Sequence, residues 1–412
     1  MKRMVAIVGG GAAGMVAAVQ AAEHGADVVL VEHNDALGKK LLATGNGRCN
    51  FSNSKLSSSA YNCISSVHGA FVDTAFDSFG LWQTLSFFTE LGLHASSEDG
   101  RLYPRSQQGA TLRDLLLLRL EQLQQSLQLR VLLNSNVQRI RKTSKGWALL
   151  LQGQEGQSDL QVSTLILAPG GLAGSQFGSD GSILALLQSM GIVVQPVMPA
   201  LVPLTLELQG FTRLYGVRCP DCHVQLLVEG SAVAKERGEI HWSRHALSGI
   251  PILDLSGSAN LALSKGSRTA LEIDLLPEIS RETLLRTVKS WTDKDADTGQ
   301  RFLSGLVHTK LALLLVELAR VQKTMAFEDK LVEMLKAWVI PVQGSLGYRE
   351  AQATLGGVDL RQLDARTMSV RHEPSLFFAG EVVDVVGKCG GYNLQWAWSS
   401  GAIAGRSAAQ HV

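Results

Sequence analysis

Short apolar runs recur along the chain, and most of them lead directly into glycine. The earliest run, Met4–Val8, is partly β-branched and is followed at once by three glycines. Similar runs at 165–168 and 375–379 also enter glycines, whereas the run at 27–31 ends on Glu32. Runs of this length are typical of strands buried on both faces of a parallel sheet. The pattern therefore predicts an α/β fold in which turns at the carboxyl ends of strands carry the chemistry.

Between these runs the spacing of apolar residues becomes helical. It predicts helices over 76–91 and 111–127, and a further helix ending at Met190 with Asp180 as its cap. The second of these helices has a core-facing stripe, to which we assign no chemistry, formed by Leu112, Leu115, Leu116 and Leu120. Alternation of apolar and polar residues predicts additional strands at 130–133, 135–140 and 146–151.

The first apolar run opens a motif suited to a nucleotide pyrophosphate. Gly9 permits a tight turn, Gly11 lets the backbone approach the phosphates, and Gly14 lets the following helix pack closely on the strand. The first N–H groups and the positive dipole end of that helix favour an anion. Glu32 can accept hydrogen bonds from ribose hydroxyls and would repel a 2′-phosphate. The motif therefore suits FAD or NAD better than NADP, and its helix starts with small residues, Ala12 and Ala13.

A polar, glycine-rich segment follows Glu32. Residues 37–53 are too polar for a core and carry cationic, amide and hydroxyl side chains among glycines. Such a loop can wrap a pyrophosphate and the polar edge of a ring; a solvated surface loop is the alternative. The candidate cofactor-binding residues in this segment are Lys40, Thr44, Gly45, Gly47, Arg48, Cys49 and Asn50.

Several blocks of the chain together resemble the BaiN/YhiN-like family of FAD-dependent flavoproteins, which includes aminoacetone oxidase-like members. The matching blocks are 9–14, 38–40, 44–50, 101–104, 356–358, 378–384 and 390–395. The resemblance implies FAD as the cofactor, and it implies that the strand near Val137 borders the adenine through its backbone. Residues 168–171 are similar to an Ala-Thr-Gly-Gly segment of the family. Because Pro169 replaces the threonine, only backbone contacts from Ala168 and Gly170 are implied.

The apolar run at 375–379 leads into the second flavin-binding segment that the resemblance implies. Here Glu381, after Gly380, could hold the ribityl chain, and the glycines before Tyr392 open a helix rich in small residues that is interrupted at Gly401 and Gly405. A helix start of this kind can stabilise the negative charge of a reduced flavin. A glycine turn into a packing helix is the alternative. The candidate cofactor-binding residues are Gly380, Glu381, Gly391, Tyr392, Asn393 and Leu394.

The character of the sequence changes at Val193. Prolines and alternating residues dominate up to about 255, a strongly helical stretch follows, and residues 334–343 return to a strand pattern. We therefore expect a two-dinucleotide-binding, Rossmann-like FAD domain with an inserted β-rich domain and a small helical insert. The expected bounds are 1–192 and 347–412 for the FAD domain, 193–255 and 326–346 for the β-rich domain, and 256–325 for the insert.

Composition narrows the function classes. The chain has 38 basic and 37 acidic residues, a net charge of +1, so we expect neither a nucleic-acid nor a membrane partner. Its longest apolar runs are too short to span a bilayer. Five cysteines, an odd number in a long chain, fit a reducing cytoplasm better than a disulfide framework. These features favour a cytoplasmic enzyme with a small-molecule substrate, and they leave its oligomeric state open.

Three motifs compete for a catalytic role. Cys219 and Cys222 form a CxxC that could be a redox pair or half a zinc site, but it lies in a strand pattern, which favours a structural role. His245 is a candidate acid or base, although it is shifted by one position from the histidine of the family block it resembles. Tyr392, expected beside the flavin, is a comparable candidate.

These observations predict an FAD-dependent oxidoreductase that transfers a hydride at flavin N5 to or from a small molecule, as an enone or steroid-type reductase or as an amine oxidase-like enzyme. A second nucleotide fingerprint is absent from the sequence, so we expect NADH or NADPH to bind only transiently as reductant. An RNA-modifying flavoprotein and a non-enzymatic FAD sensor are the alternatives.

Overall fold

A computed structural model describes residues 4–65, 67–179, 181–292, 301–321 and 325–411 of the chain. The chain divides into two compact units, and each has a hydrophobic core of its own. One unit comprises Met1–Val197 with Ala353–Val412, and the other comprises Met198–Gln352. The finer five-part division expected from the sequence stays a prediction.

A six-stranded sheet forms the centre of the first unit. Its order is Ser369–Val370, Glu373–Phe378, Thr164–Leu167, Met4–Val8, Asp27–Val31 and Leu129–Leu132. The last five strands are parallel, and the first strand pairs antiparallel at the edge. Residues 5–7 of the central strand have no exposed surface. The parallel sheet predicted from the apolar runs is confirmed.

Two long helices of this unit, Ala12–Glu23 and Tyr392–Gln410, pack against each other through glycine. A Cβ atom at Gly401 would lie 2.4 Å from the carbonyl oxygen of Ala13, and one at Gly405 would lie 2.4 Å from that of Ala17. The prediction that these glycines interrupt the C-terminal helix is wrong, because the helix continues through both. They remove side-chain volume where the two backbones approach each other.

The remaining elements of the first unit surround this core. A three-stranded antiparallel sheet consists of Asn136–Thr143, Gly146–Gly153 and Gly156–Val162, and short strands occupy Ser52–Asn53, Tyr61–Asn62, Ala95–Glu98, Arg101–Pro104, Ala353–Val358 and Val386–Gly387. The strand Val194–Ala200 crosses the boundary between the units. The other helices are Lys39–Leu42, His68–Ser78, Leu81–Glu90, Gly109–Gln125 and Ser182–Ser189, with 3₁₀ turns at Thr44–Gly47, Ser58–Ala60, Ser175–Phe177, Leu360–Gln362 and Gly380–Val382.

One predicted helix is divided in the structure. The apolar spacing over 76–91 is continuous, but the backbone breaks at Gly80, where a Cβ atom would lie 2.6 Å from the carbonyl oxygen of Phe76. Glycine fits this close approach, and it begins the second helix as its N-cap. The predicted cap Asp180 lies outside the described residues.

The second unit is built on a closed six-stranded barrel. Its strands, in order around the barrel, are Leu204–Leu206, Leu247–Ser248, Ser231–Trp242, Arg218–Val228, Thr269–Asp274 and Trp338–Ser345. Its helices are Ile250–Ser264, Arg281–Thr292, Thr309–Val321 and Phe327–Lys336, with a 3₁₀ turn at Phe211–Leu214. The expected helical character of 256–325 is wrong at Thr269–Asp274, where every second residue is buried and the strand closes the barrel. Among the described residues, no helix is long and apolar enough to cross a membrane.

Candidate cofactor-binding site

The three glycines of the first turn have different structural requirements. Gly9 has a φ of +105°, and a Cβ atom placed on it would lie 2.3 Å from the carbonyl oxygen of Ala168. A Cβ at Gly14 would lie 1.8 Å from the carbonyl oxygen of Gly9. By contrast, no heavy atom of the described chain lies within 4 Å of a Cβ placed on Gly11, which caps the helix Ala12–Glu23. The outer glycines are therefore required by packing, while the middle one leaves open space at a helix N-terminus, as an anion needs.

Glu32 is fixed at the edge of the sheet beside this turn. Its side chain is buried, and Oε2 accepts a hydrogen bond of 2.6 Å from the backbone N–H of Gly10. Oε1 accepts from the backbone and side-chain nitrogens of Asn34, each at 2.8 Å. A carboxylate oxygen can accept about two hydrogen bonds, so Oε2 retains capacity for a hydroxyl donor. This placement supports the predicted ribose role of Glu32, which stays a prediction.

The loop at 44–50 is folded tightly on itself. Gly45 and Gly47 have φ values of +56° and +83°, and Cys49 has a φ of +54°. The hydroxyl of Thr44 donates to the carbonyl oxygen of Leu41 at 2.7 Å. Burial raises the pKa of the Cys49 thiol to about 11, against the opposing effect of a hydrogen bond from Thr44. Cys49 is therefore a protonated packing residue at neutral pH.

Arg48 lies in this loop, but its guanidinium is held by protein side chains. It donates to Gln107 at 2.7 Å and to Glu98 at 2.5 Å, and it lies 4.3 Å above the ring of Tyr103. These contacts fasten the loop to the hairpin at 95–104. The predicted contact of Arg48 with the cofactor stays a prediction.

The loop meets the C-terminal segment through polar side chains. Lys40 Nζ lies 2.7 Å from Glu381 Oε2. The hydroxyl of Ser52 donates to Gln395 Oε1 at 2.6 Å. Asn53 Nδ2 donates to the carbonyl oxygen of Gly390 at 2.9 Å. The structure thus brings together the two segments from which the sequence assembles the flavin half of the site.

Two buried acceptor atoms at this junction lack a partner among the described residues: Asn50 Oδ1 and Glu381 Oε1. A buried acceptor left unpaired costs free energy, on the order of 1–3 kcal/mol. Asn50 Oδ1 lies next to Gly391, and Glu381 Oε1 lies next to Gly171. Ribityl hydroxyls and the ring imide N–H of FAD are hydrogen-bond donors, so the two acceptors fit this cofactor.

The C-terminal helix starts from a strained glycine. Gly391 has a φ of +94°, and a Cβ there would lie 2.4 Å from the carbonyl oxygen of Ser52. Asn393 uses its side-chain amide on the backbone N–H and C=O of Gly387, both at 2.8 Å. The role left for Asn393 toward a cofactor is therefore a backbone one, and Leu394 packs partly buried against the core.

Tyr392 is the first residue of this helix. Its carbonyl oxygen accepts a hydrogen bond of 2.8 Å from the Tyr61 hydroxyl, and the two rings meet edge to face with centroids 5.8 Å apart. Tyr61 is buried, so its hydroxyl and its ring hold Tyr392 in a fixed position. A catalytic role for Tyr392 stays a prediction.

The other predicted contacts come from segments beside the central strand. Ala168 follows its strand directly and is bonded through its N–H to the carbonyl of Val8 at 2.8 Å, and Gly170 adopts a φ of +85°. Gly380 has a φ of +79° and lies against Ala13. Val137 lies at a β-bulge, two residues after Ser135, whose N–H donates to the carbonyl of Glu32. The backbone roles of Ala168, Gly170 and Val137 stay predictions.

Sequence reasoning did not assign roles to two buried polar residues here. Thr354 Oγ1 accepts from the N–H groups of Leu172 and Ala173, at 2.9 and 3.1 Å, and so holds the turn after Gly170. Asp384 accepts from the backbone N–H of Ile64 and from both the N–H and hydroxyl of Ser65. Burial raises the pKa of Asp384. Only the polar character of Thr354 and Asp384 within apolar segments could have indicated these roles.

Two candidates from the sequence lie in the second unit. His245 is exposed in the turn that Ser243 closes by bonding to Ala246. Its predicted acid or base role is untested and stays a prediction. Cys219 and Cys222 lie in the strand Arg218–Val228, as the alternating pattern indicated, and both are buried.

The fold and the site define the class: an FAD-dependent oxidoreductase of the Rossmann type. More narrowly, the chain belongs to the HI0933-like family, because the model described as HI0933-like protein Rossmann domain matches residues 3–407. The resemblance, the fold class, the enzyme class and FAD as the cofactor are thereby confirmed.

Individual relatives have different names. The chain is 36% identical to a 3-dehydro-bile acid delta(4,6)-reductase from Clostridium scindens, over 98% of this chain and 99% of that one. It is 31% identical to a ribosomal RNA dihydrouridine synthase from Escherichia coli, over 96% and 95% of the two chains. A solved 3-ketosteroid delta1-dehydrogenase from Sterolibacterium denitrificans aligns over 100% of both chains with a TM-score of 0.54 at 11% identity, which shows a shared fold alone.

Proposed function

We propose that this oxidoreductase reduces a carbon–carbon double bond that is conjugated to a carbonyl group in a small cyclic substrate. Support comes from the 36% identity to a reductase of 3-dehydro-bile acids, whose name denotes reduction of ring double bonds conjugated to a 3-oxo group. FAD, when bound, supplies a hydride from N5. The near-neutral charge of the chain also favours a small substrate.

The observation that carries the cofactor part of this proposal is the pair of unpartnered acceptors, Asn50 Oδ1 and Glu381 Oε1. They lie in segments joined by the pair of Lys40 with Glu381, and both can receive donors from a ribityl chain or a ring edge. The helix start at Gly11 would hold the pyrophosphate and Glu32 the ribose. The start of the helix at Tyr392 would stabilise negative charge at the ring.

Reduction of such a double bond also requires a proton on the carbon next to the carbonyl. Tyr392 and His245 are the two side chains that we propose for this transfer. Tyr392 is the stronger candidate, because it follows Gly391, which lies beside Asn50 at the proposed flavin edge. Replacement of Tyr392 by phenylalanine keeps its ring packing against Tyr61 and removes only the hydroxyl.

A second candidate function is reduction of uridine in RNA. It is favoured by the 31% identity to a ribosomal RNA dihydrouridine synthase across nearly the whole of both chains. The uracil ring also contains a double bond conjugated to a carbonyl, so one hydride chemistry serves both substrate classes. The expectation that the protein binds no nucleic acid therefore stays a prediction.

Anaerobic flavin reduction separates these possibilities. The bound FAD is first reduced with NADH or NADPH, which we propose as transient reductants, and is then mixed with a bile-acid enone, its saturated analogue or uridine-containing ribosomal RNA. In a separate arm, a primary amine is mixed with the oxidised protein. We expect the flavin to be reoxidised by the enone and not by the saturated analogue. Reoxidation by RNA alone would establish the second candidate. Direct reduction of oxidised flavin by the amine would establish an oxidase, and a flavin inert to every reagent would indicate a sensor.

The same assay tests the proton donor. We expect Tyr392→Phe to slow reoxidation of the flavin by the enone while leaving flavin reduction by NAD(P)H unchanged. His245→Gln is the comparison variant. Equal reoxidation rates in Tyr392→Phe and the unaltered enzyme would remove Tyr392 from this role. Loss of activity in His245→Gln alone would transfer the role to His245.

A further inference from the structure

The CxxC of the second unit lies at an irregularity in the barrel. Cys219 pairs with Ile240 and Cys222 with Gly238, so two residues of one strand, Pro220 and Asp221, oppose a single residue of the other. Residues three apart in a regular strand point to opposite faces of the sheet. The bulge removes this offset, and both cysteines consequently point into the barrel, with 6% and 0% of their surface exposed.

The outer side of the bulge is held in place by an ion pair. Arg237, on the neighbouring strand, donates to both carboxylate oxygens of Asp221, at 2.8 and 2.6 Å. On the inner side, the sulfur of Cys222 lies 4.0 Å from the carbonyl oxygen of Cys219. The two cysteines therefore share the buried side of a strand whose bulge is held by an ion pair.

The two thiols differ in their electrostatic surroundings. A hydrogen bond from Cys222 lowers the pKa of Cys219, and the Trp242 indole adds to this effect, whereas burial and the charge of Glu239 oppose it. The pKa of Cys222 is raised, first by its hydrogen bond to Cys219 and then by burial, with Asp221 and Asp274 acting in the same direction. The indole N–H of Trp242 is buried and makes no hydrogen bond within the described residues. Of the two thiols, Cys219 is therefore the one whose surroundings favour the thiolate.

A zinc site does not fit this pair. Zinc requires further cysteine, histidine or carboxylate ligands. Within the described residues, no group of three or more such side chains is placed to hold a metal ion. The other three cysteines, Cys49, Cys63 and Cys389, belong to the first unit, so the pair has no competing thiol in its own barrel.

We propose that Cys219 and Cys222 form a reversible intramolecular disulfide when the protein meets a peroxide. The Cys219 thiolate attacks hydrogen peroxide, so that an S–O bond forms, the O–O bond breaks and hydroxide leaves. Cys222 then attacks the sulfenic sulfur of Cys219, the S–S bond forms, the S–O bond breaks and water leaves. In total, two thiols and one hydrogen peroxide give one disulfide and two water molecules. This proposal is independent of the substrate of the flavin.

Mass spectrometry of the full-length holoenzyme tests the proposal. The reduced protein is treated with hydrogen peroxide, unfolded in the presence of iodoacetamide and digested. We expect the peptide containing Cys219 and Cys222 to carry no alkyl group and to be lighter than the dithiol peptide by two hydrogen atoms. After reduction with dithiothreitol, both cysteines should be alkylated. Cys49 is the internal control, because a buried thiol with a pKa of about 11 stays reduced and is alkylated in full.

Three variants separate the roles of the residues. In Cys222→Ser, oxidation should stop at a sulfenic acid on Cys219, which dimedone traps. In Cys219→Ser, Cys222 should stay unoxidised. Trp242→Phe keeps an aromatic ring and removes the indole N–H, so it should slow the oxidation of Cys219 several-fold. If a variant does not fold, the measurement on the unaltered protein still decides. Full alkylation of both cysteines at peroxide doses that oxidise added glutathione would overturn the proposal, as would a disulfide from either cysteine to Cys49, Cys63 or Cys389.

Discussion

The nucleotide half of the cofactor site and its flavin half differ in how far apart their parts lie in the chain. Gly9, Gly14 and Glu32 belong to one β–α–β unit, and Gly10 meets Glu32 across 22 positions. In the flavin half, the bonded residues Lys40 and Glu381 are 341 positions apart in the sequence, and Ser52 and Gln395 are 343 apart. The first half therefore forms mostly from local structure, with Ala168 as its distant neighbour at Gly9, whereas the second exists only after the two ends of the first unit have come together.

The two halves also differ in what holds them. The nucleotide half is fixed by missing side chains, since Cβ atoms at Gly9 and Gly14 would lie within 2.3 Å of backbone oxygens. The flavin half is fixed by polar side chains, and it retains two acceptors that its own residues do not satisfy. We expect substitutions at the packing glycines of the first half to act mainly on folding, and substitutions of Lys40 and of the unpartnered acceptors in the second half to act mainly on FAD.

The largest effect is expected at Gly14. In Gly14→Ala the new methyl group would lie 1.8 Å from the carbonyl oxygen of Gly9, so the strand and helix must separate. Overpacking of this kind costs about 1–3 kcal/mol of the free energy of unfolding, and at so short a distance we expect the upper end of this range. Urea unfolding monitored by circular dichroism measures the loss.

Gly11→Ala is the matched control, because its methyl group meets no heavy atom of the described residues within 4 Å. Loss of a glycine N-cap should cost it about 1 kcal/mol or less, while FAD binding weakens because the methyl group occupies space proposed for the pyrophosphate. Equal unfolding free energies for the two variants would contradict the assignment of Gly14 to packing and Gly11 to the ligand.

A smaller effect, on FAD alone, is expected at Lys40. Lys40→Met removes the cation that pairs with Glu381 and leaves a partly buried carboxylate alone beside the proposed ribityl chain. We expect the dissociation constant for FAD to rise about tenfold, which corresponds to about 1.4 kcal/mol. Lys39→Met is the comparison, since Lys39 has similar exposure but pairs with the exposed Asp35 and donates to Asn34, on the nucleotide side of the site. Titration of each apoprotein with FAD measures the two dissociation constants. A similar loss of FAD affinity in the two variants would argue against a specific role for Lys40.

The contrast between the halves also explains which features the sequence could predict. The strands, the glycine turn and Glu32 depend on neighbours in the chain, so the apolar pattern and the glycine spacing were enough to find them. Arg48 and Asn393 were predicted to bind the cofactor from the character of their segments, but their side chains bind Glu98 and Gly387, and the sequence pattern did not indicate these partners. The strand Thr269–Asp274 was missed because helical segments surround it, and its burial depends on closure of the barrel.

The smallest effect is expected at Asn50, where stability and cofactor affinity should move in opposite directions. Asn50→Ala removes a buried acceptor that has no partner among the described residues, so the apoprotein should melt at the same temperature or slightly higher. FAD should bind several-fold more weakly, because the acceptor that it would satisfy is gone. Asn393→Ala is the matched comparison: its amide bonds both the N–H and the C=O of Gly387, so its loss should lower the stability of apo and holo protein alike, by about 1–3 kcal/mol. Thermal melts with and without FAD distinguish the two patterns. If Asn50→Ala instead lowers apoprotein stability as much as Asn393→Ala does, Asn50 is a structural residue, and the flavin half loses one of the two acceptors assigned to the cofactor.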